Sequence, residues 1–174
     1  LTQRAIVPPY WAFAPWKGRD YHQNDAQVAE DVDRQREMGL PSSVILIDSP
    51  WTPAYNDYKF NPKQFADAPA MVKHLHAEGY KLVLWHTSWI NSKSNPPKET
   101  GFEGKMSPLS ENYQEAADQG LFVKNRDGSP YVGTWWKGQG SLIDFTNPKA
   151  KTWWQNQVRQ AIAAGADGVK DDDA

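Results

Sequence analysis

Three places in this sequence set chemically capable side chains at the end of a short apolar run. Asp48 and Trp51 follow Val44-Ile45-Leu46-Ile47. Trp85 and His86 close Lys81-Leu82-Val83-Leu84. Lys170-Asp171-Asp172-Asp173 follows Gly168-Val169. Continuous apolar runs of this length read as buried parallel strands. Enzymes built on such strands carry their chemistry at the carboxyl ends. Carboxylates placed there can attack as nucleophiles, shuttle protons or hold hydroxyl groups.

Strand parity sorts these residues. Side chains alternate between the two faces of a strand. Lys170 and Asp172 share one face, and Val169 and Asp171 share the other. Val44, Leu46 and Asp48 share a face by the same rule. In a barrel, the Val169 face meets the helices, so Lys170 and Asp172 point toward the axis. A lysine beside a carboxylate favours its charged form, which suits a nucleophile. A glycosidase needs such a carboxylate to attack the anomeric carbon, with a second carboxyl group as acid and base. The residues alone leave other readings open. Asp48 could cap a helix. Asp171 to Asp173 could form a solvated acidic turn, or hold Mg²⁺, although Lys170 would repel that ion. His86 reads as a structural or rim residue. His22, His74 and His76 lack ligand spacing.

These side chains need a scaffold. Pro8-Pro9 blocks helix and ladder alike. Tyr10-Trp11-Ala12-Phe13-Ala14 then reads as a short buried strand, and residues 15–22 as its loop-like exit. Asn24 is an N-cap with Gln27 in the capping-box position. Helical spacing continues to Met38, and Gly39 is the stop. Residues 52–66 form a long loop after the second strand. Asp67-Ala68-Pro69 opens a second helix, which Gly79 ends before the third strand, Lys81 to His86. Asn91 to Pro108 reads as a polar surface excursion, and Ser110 to Gln119 as a helix. Residues 121–132 form a hairpin around Asp127-Gly128. Trp135-Trp136 with Gly138 and Gly140 reads as a further loop, and residues 141–145 as a short extended piece. Asn147-Pro148 opens the last helix, to about Ala164. Asp167 to Asp171 is the fourth strand.

Alternating strand and helix imply an α/β fold with a parallel sheet. A doubly wound sheet and a (β/α)8 TIM barrel both fit this order. No glycine-rich phosphate turn follows the first strand, which disfavours the nucleotide-binding version. The elaborated segments follow strand carboxyl ends, while helix-to-strand turns are tight, as in barrel enzymes. A barrel takes about 250 residues. The 174 residues here are therefore expected to be one domain, a partial barrel of about four βα units, truncated at its C-terminus.

Composition narrows the partners. The formal net charge is −2 and there is no cysteine. That leaves no basic footprint for nucleic acid, no polybasic membrane patch and no disulfide frame. No apolar run reaches the roughly 20 residues of a membrane span, and no signal-peptide pattern opens the sequence. Nine tryptophans suit either an aromatic core or a carbohydrate site, because the flat C–H faces of sugars stack on indole.

The residues and their order resemble glycoside hydrolase family 31 over nearly the whole chain. Pro8-Pro9-Tyr10-Trp11-Ala12 with Trp16-Lys17-Gly18-Arg19 is similar to that family's first strand and exit. Ile47-Asp48-Ser49-Pro50-Trp51 and Phe60-Asn61-Pro62-Lys63-Gln64-Phe65 resemble its second strand and following loop. Leu82-Val83-Leu84-Trp85 resembles the third strand. Residues 120–130 and Ile143-Asp144-Phe145-Thr146-Asn147-Pro148 are similar to later segments. Asp167-Gly168-Val169-Lys170-Asp171-Asp172 resembles the nucleophile strand.

The resemblance implies a retaining exo-α-glycosidase of α-glucosidase, α-xylosidase or α-galactosidase type, acting on a carbohydrate substrate with no cofactor and no metal. It implies Asp172 as nucleophile, Lys170 in contact with the terminal sugar, and Asp48 on its outer hydroxyls. Trp51 and Trp85 would line the pocket. Trp16, Arg19, and Trp135 or Trp136 on a loop over the site are further implied contacts. Asp171 departs from the small or apolar residue usual before the nucleophile. The exit Trp85-His86-Thr87-Ser88-Trp89 is not the commonest form. The acid/base aspartate belongs to a later segment of the family, so the 174 residues alone are expected not to turn over substrate. A barrel that only holds sugar is the alternative.

Overall fold

A computed structural model of the chain describes residues 4–95, 101–102 and 104–172. Four parallel strands form its main sheet, in the order β1 (Trp16–Arg19), β2 (Val44–Ile47), β3 (Lys81–His86) and β7 (Gly168–Asp171). Helices α1 (Asp25–Glu37), α2 (Ala68–Ala77) and α4 (Pro148–Ala163) cover one face. This is an open section of a barrel wall. Asp173, one of the three clustered aspartates, lies outside the described residues.

The elements follow from local chemistry. Asn24 caps α1 by accepting from the Gln27 N–H. Gln27 returns a side-chain bond to the Gln23 N–H, one residue before the capping-box partner expected from the sequence. Asp67 caps α2 and Asn147 caps α4, each followed by a proline in the first turn. Ile45, Ile47, Leu82 and Leu84 point toward the helices. They pack with Val28, Val32, Met71, Val72, Leu75 and Ala161 in one buried cluster. Each such aliphatic side chain contributes about 1.5–3 kcal/mol when fully buried.

The first strand lies later than the sequence suggested. Tyr10–Phe13 is a 3₁₀ turn without buried residues, and the ladder begins at Trp16, opposite Val44. Prolines 9 and 15 bracket the segment and remove ladder donors, while the Ala12 N–H closes the turn on the Pro9 carbonyl. The turn lays Trp11 near the start of β7. A Cβ on Gly168 would sit 3.8 Å from the Trp11 ring.

Register at the site end is fixed from the opposite end of the strands. Gly165, with φ +105°, breaks α4 where a Cβ would come 2.5 Å from Val72 Cγ1. Only glycine fits there. Asp167 then locks β7 onto β3. Its N–H donates to the Leu82 carbonyl, and its carboxylate accepts from the Leu82 N–H, Lys81 Nζ and His76 Nε2. The resulting register sets Lys170 opposite Trp85 and Asp171 opposite His86.

The excursion after β3 is more ordered than its polar sequence implied. β4 (Trp89–Ser94), β6 (Gly138–Leu142) and β5 (Gly133–Trp135) form a second, antiparallel sheet. The loop readings for Asn91 to Ser94, for Trp135 and for residues 138–140 are therefore corrected, while residues 96–100 and 103 of the excursion lie outside the described residues. The two glycines serve as points of close approach. A Cβ on Gly138 would overlap the Lys93 carbonyl oxygen, and one on Gly140 would lie 2.5 Å from that of Ile90. Asn91 is fully buried and donates to Ser94 Oγ and the Lys137 carbonyl, so a polar residue serves as core. The helix expected over 110–119 is confined to α3 (Tyr113–Asp118). The Asp127-Gly128 turn forms, but with a single isolated bridge, Lys124 to Pro130, between its arms in place of a ladder. Among the described residues, no helix is long and apolar enough to cross a membrane.

Candidate active site

Asp48, Trp85, Lys170 and Asp172 meet at the carboxyl end of the parallel sheet. Lys170 Nζ lies 2.9 Å from Asp48 Oδ2 and 2.9 Å from Asp172 Oδ2. Trp85 Nε1 donates to the same Asp172 oxygen at 2.9 Å. One carboxylate oxygen thus receives both a cation and an indole N–H. The Asp172 N–H donates to the His86 carbonyl, which extends the β3–β7 ladder through this residue.

The electrostatics centre on Lys170. Burial works against its charge, but hydrogen bonds to Asp48 and Asp172, with their Coulombic attraction, outweigh that cost and raise its pKa above the ordinary lysine value. The ammonium occupies the space a divalent ion would need to bridge the two carboxylates. Among the described residues, no group of three or more histidine or acidic side chains could hold a metal ion.

Parity places Asp171 on the other side of β7. Its Oδ1 lies 3.6 Å from His86 Nε2, away from Lys170. His86 is 3% exposed, between Tyr58 and Trp154. Burial lowers its pKa, and the nearby Asp171 charge only partly opposes this. His86 is thus packed into the helix-facing side.

The tryptophans separate into three groups. Trp51 and Trp85 are almost fully buried, at 2% and 1% exposed. Trp51 Nε1 donates to the Trp85 carbonyl at 2.7 Å, so Trp51 braces Trp85 from behind. Trp135 stacks on Trp85 and on Trp89, with interplanar angles of 6° and 7°, and its Nε1 donates to Asn91 Oδ1. Trp136, 59% exposed, sits edge-on to Trp135. Trp16 is not brought to this cluster. It lies opposite Val44, at the amino end of the strands, because the ladder begins at Trp16 and not at Tyr10. Arg19 is also absent from the cluster. It forms a two-point ion pair with Asp31 of α1, which also accepts from His22.

Sequence reasoning did not find Tyr55 or Lys137. Tyr55 is fully buried against the edges of Trp85 and Trp135. Lys137 is 4% exposed, with its ammonium 3.7 Å from the centre of the Trp136 ring. The available signal was the run Trp135-Trp136-Lys137 between two glycines, which reads as an exposed loop.

With this geometry in hand, comparison with known proteins is specific. Residues 5–174 match the model of the glycosyl hydrolases family 31 TIM-barrel domain. The chain is 31% identical over 155 residues to lysosomal alpha-glucosidase of Mus musculus, covering 89% of this chain and 15% of that protein. It is 27% identical over 176 residues to an alpha-xylosidase of Emericella nidulans, covering 99% of this chain and 20% of that protein. In fold it resembles the dextranase FjDex31A of Flavobacterium johnsoniae, with a TM-score of 0.81 at 24% identity, over 95% of this chain and 19% of that one. The chain thus spans no more than about a fifth of these proteins.

Proposed function

The chain belongs to glycosyl hydrolase family 31, and on that premise we propose that its protein hydrolyses terminal α-glycosidic bonds with retention of configuration, Asp172 being the nucleophile. The observation that carries this reading is the placement of Asp172 Oδ2, 2.9 Å from both Trp85 Nε1 and Lys170 Nζ at the carboxyl end of β7. Two donors orient the carboxylate for attack on an anomeric carbon.

The remaining roles follow from hydrogen-bonding capacity. Asp48 is paired with Lys170, which suits it to accept sugar hydroxyls and not to deliver a proton. Lys170 also opposes the positive charge that develops on the sugar less than a free cation would, because two carboxylates share it. Trp85 and Trp51 hold the nucleophile wall, and Trp136 offers an open ring beside it. Attack forms a β-glycosyl ester on Asp172 as the leaving oxygen departs with a proton, and water opens the ester with a second inversion. The family resemblance assigns the proton-transferring carboxyl to a segment outside this sequence, so the 174 residues alone would not complete a turnover. The named relatives favour an α-glucoside or α-xyloside as substrate.

The test uses Asp172→Ala in the complete protein with a panel of aryl α-glycosides. A loss on the order of 10⁴-fold or more in kcat is expected for a nucleophile, and the wild type should release the α-anomer first, as seen by NMR. Near-wild-type turnover by the variant, or a β-anomer as first product, refutes the reading.

A further inference from the structure

We infer that Lys137 is a positioning residue, which fixes Trp136 as the wall of a binding subsite for the leaving-group side of a glycoside. The inference rests on the site reading above, but its own observations are local. Lys137 sits in the turn between β5 and β6 and is 4% exposed. Lysine is almost never buried to that extent without groups that replace its hydration. Three rings surround its ammonium: Trp136 at 3.7 Å, Tyr55 at 5.6 Å and Tyr21 at 5.9 Å. A cation over an aromatic face is attracted by the ring quadrupole, most strongly for tryptophan and most of all when desolvated.

The geometry couples this clamp to the nucleophile. Lys137 lies against one face of Trp136, and the residue is still 59% exposed. Trp136 abuts Trp135, Trp135 stacks on Trp85, and Trp85 donates to Asp172. The Lys137 carbonyl accepts from Asn91 Nδ2 and the Asn95 N–H, so the clamp is anchored to β4 and does not ride on a free loop. An exposed indole in a turn would ordinarily sample several rotamers, and a sugar stacking on it would bear that ordering cost. The ammonium removes the cost beforehand. The ligand is the ring of a second sugar, or an aryl aglycone, presenting an apolar face to Trp136.

The test is a double-mutant cycle in the complete protein with Lys137→Met, Trp136→Ala and the double variant. Substrates are a p-nitrophenyl α-glycoside that the wild type cleaves and the disaccharide of the same sugar. Lys137→Met should raise KM for the disaccharide by about 2- to 12-fold, the cost of ordering one interface side chain, with a smaller change in kcat. Lys137→Arg should recover most of that loss. In the Trp136→Ala background, Lys137→Met should have little further effect. Additive effects of the two changes would overturn the proposal.

A readout independent of turnover keeps this separate from the glycosidase assignment. The Trp136 component of the fluorescence, taken as wild type minus Trp136→Phe, should lose anisotropy in Lys137→Met. An unchanged component shows that Lys137 does not hold the ring, whatever the protein hydrolyses. A full loss of activity in Asp172→Ala, or its absence, bears only on the catalytic reading.

Discussion

Lys170→Met isolates what the bridging cation does. The replacement keeps a long apolar stem and deletes the charge. In the native site, Asp48 Oδ2 and Asp172 Oδ2 each lie 2.9 Å from Lys170 Nζ, so they are at most about 5.8 Å apart. Two unit charges at that separation repel by about 3 kcal/mol at an effective dielectric of about 20. The three side chains are 23–37% exposed, and solvent screening cuts this to about 1 kcal/mol. Asp172 also loses a charge-assisted donor. Together these place the loss at about 1.5–3 kcal/mol, or about 13- to 160-fold in kcat/KM. The assay is kcat/KM with an aryl α-glycoside in the complete protein, measured beside the wild type. Activity within about threefold of wild type would refute the bridging role.

Trp85→Phe removes the indole donor to Asp172 while retaining an aromatic ring, and should lower kcat/KM by about 10- to 100-fold, the worth of a hydrogen bond to a charged group. Gly138→Ala should destabilise the protein by about 1–3 kcal/mol, read as a lower Tm, because its Cβ would overlap the Lys93 carbonyl oxygen. Gly128→Ala, with φ +89° but open space around it, should cost only the backbone strain of about 1–2 kcal/mol. His22 gives a pH prediction. Burial, against the Asp31 hydrogen bond, depresses its folded-state pKa below 6.5, so its contribution is complete above about pH 6.5 and is lost as pH falls. His86 acts in the same direction, whereas Asp31, depressed below 3.8, matters only at lower pH. Tm should therefore fall between pH 7 and 5. The fall should shrink in His22→Gln and shrink further when His86→Gln is added. An unchanged slope in both variants would show that these imidazoles are not the groups responsible.

The apolar runs Val44–Ile47 and Lys81–His86, and the glycine stops before them, were legible because local pattern and tertiary role agree there. So was the parity that separates Asp171 from Asp172, since alternation along a strand needs no tertiary information. The first strand was less legible. Trp16-Lys17-Gly18-Arg19 carries no apolar run, because its sides are occupied by an open inner face and by the Arg19–Asp31 ion pair. The family resemblance carried Trp16 toward the site, whereas the structure puts it at the amino end of the strands, opposite Val44. The strand at Trp89–Ser94 was hidden for a related reason. Its buried positions include Asn91 and Ser94, whose polar atoms are satisfied by one another and by the Lys137 carbonyl. Hydropathy cannot register a core that is polar but fully bonded.

That second sheet changes what the tryptophans mean. Nine indoles in one sequence suggest either a core or a sugar surface, and most resolve as structure. Trp51 and Trp85 are closed to solvent and act through their N–H groups: Trp51 braces Trp85, and Trp85 holds Asp172. Trp135 presses a flat ring onto Trp85 from β5. Trp136 alone among these four keeps a large open surface. The antiparallel sheet therefore joins a buried support for Asp172 to an exposed aromatic wall in consecutive residues. Changing the β5–β6 turn should alter the wall through Trp136, while altered packing of Trp135 should reach Asp172 itself.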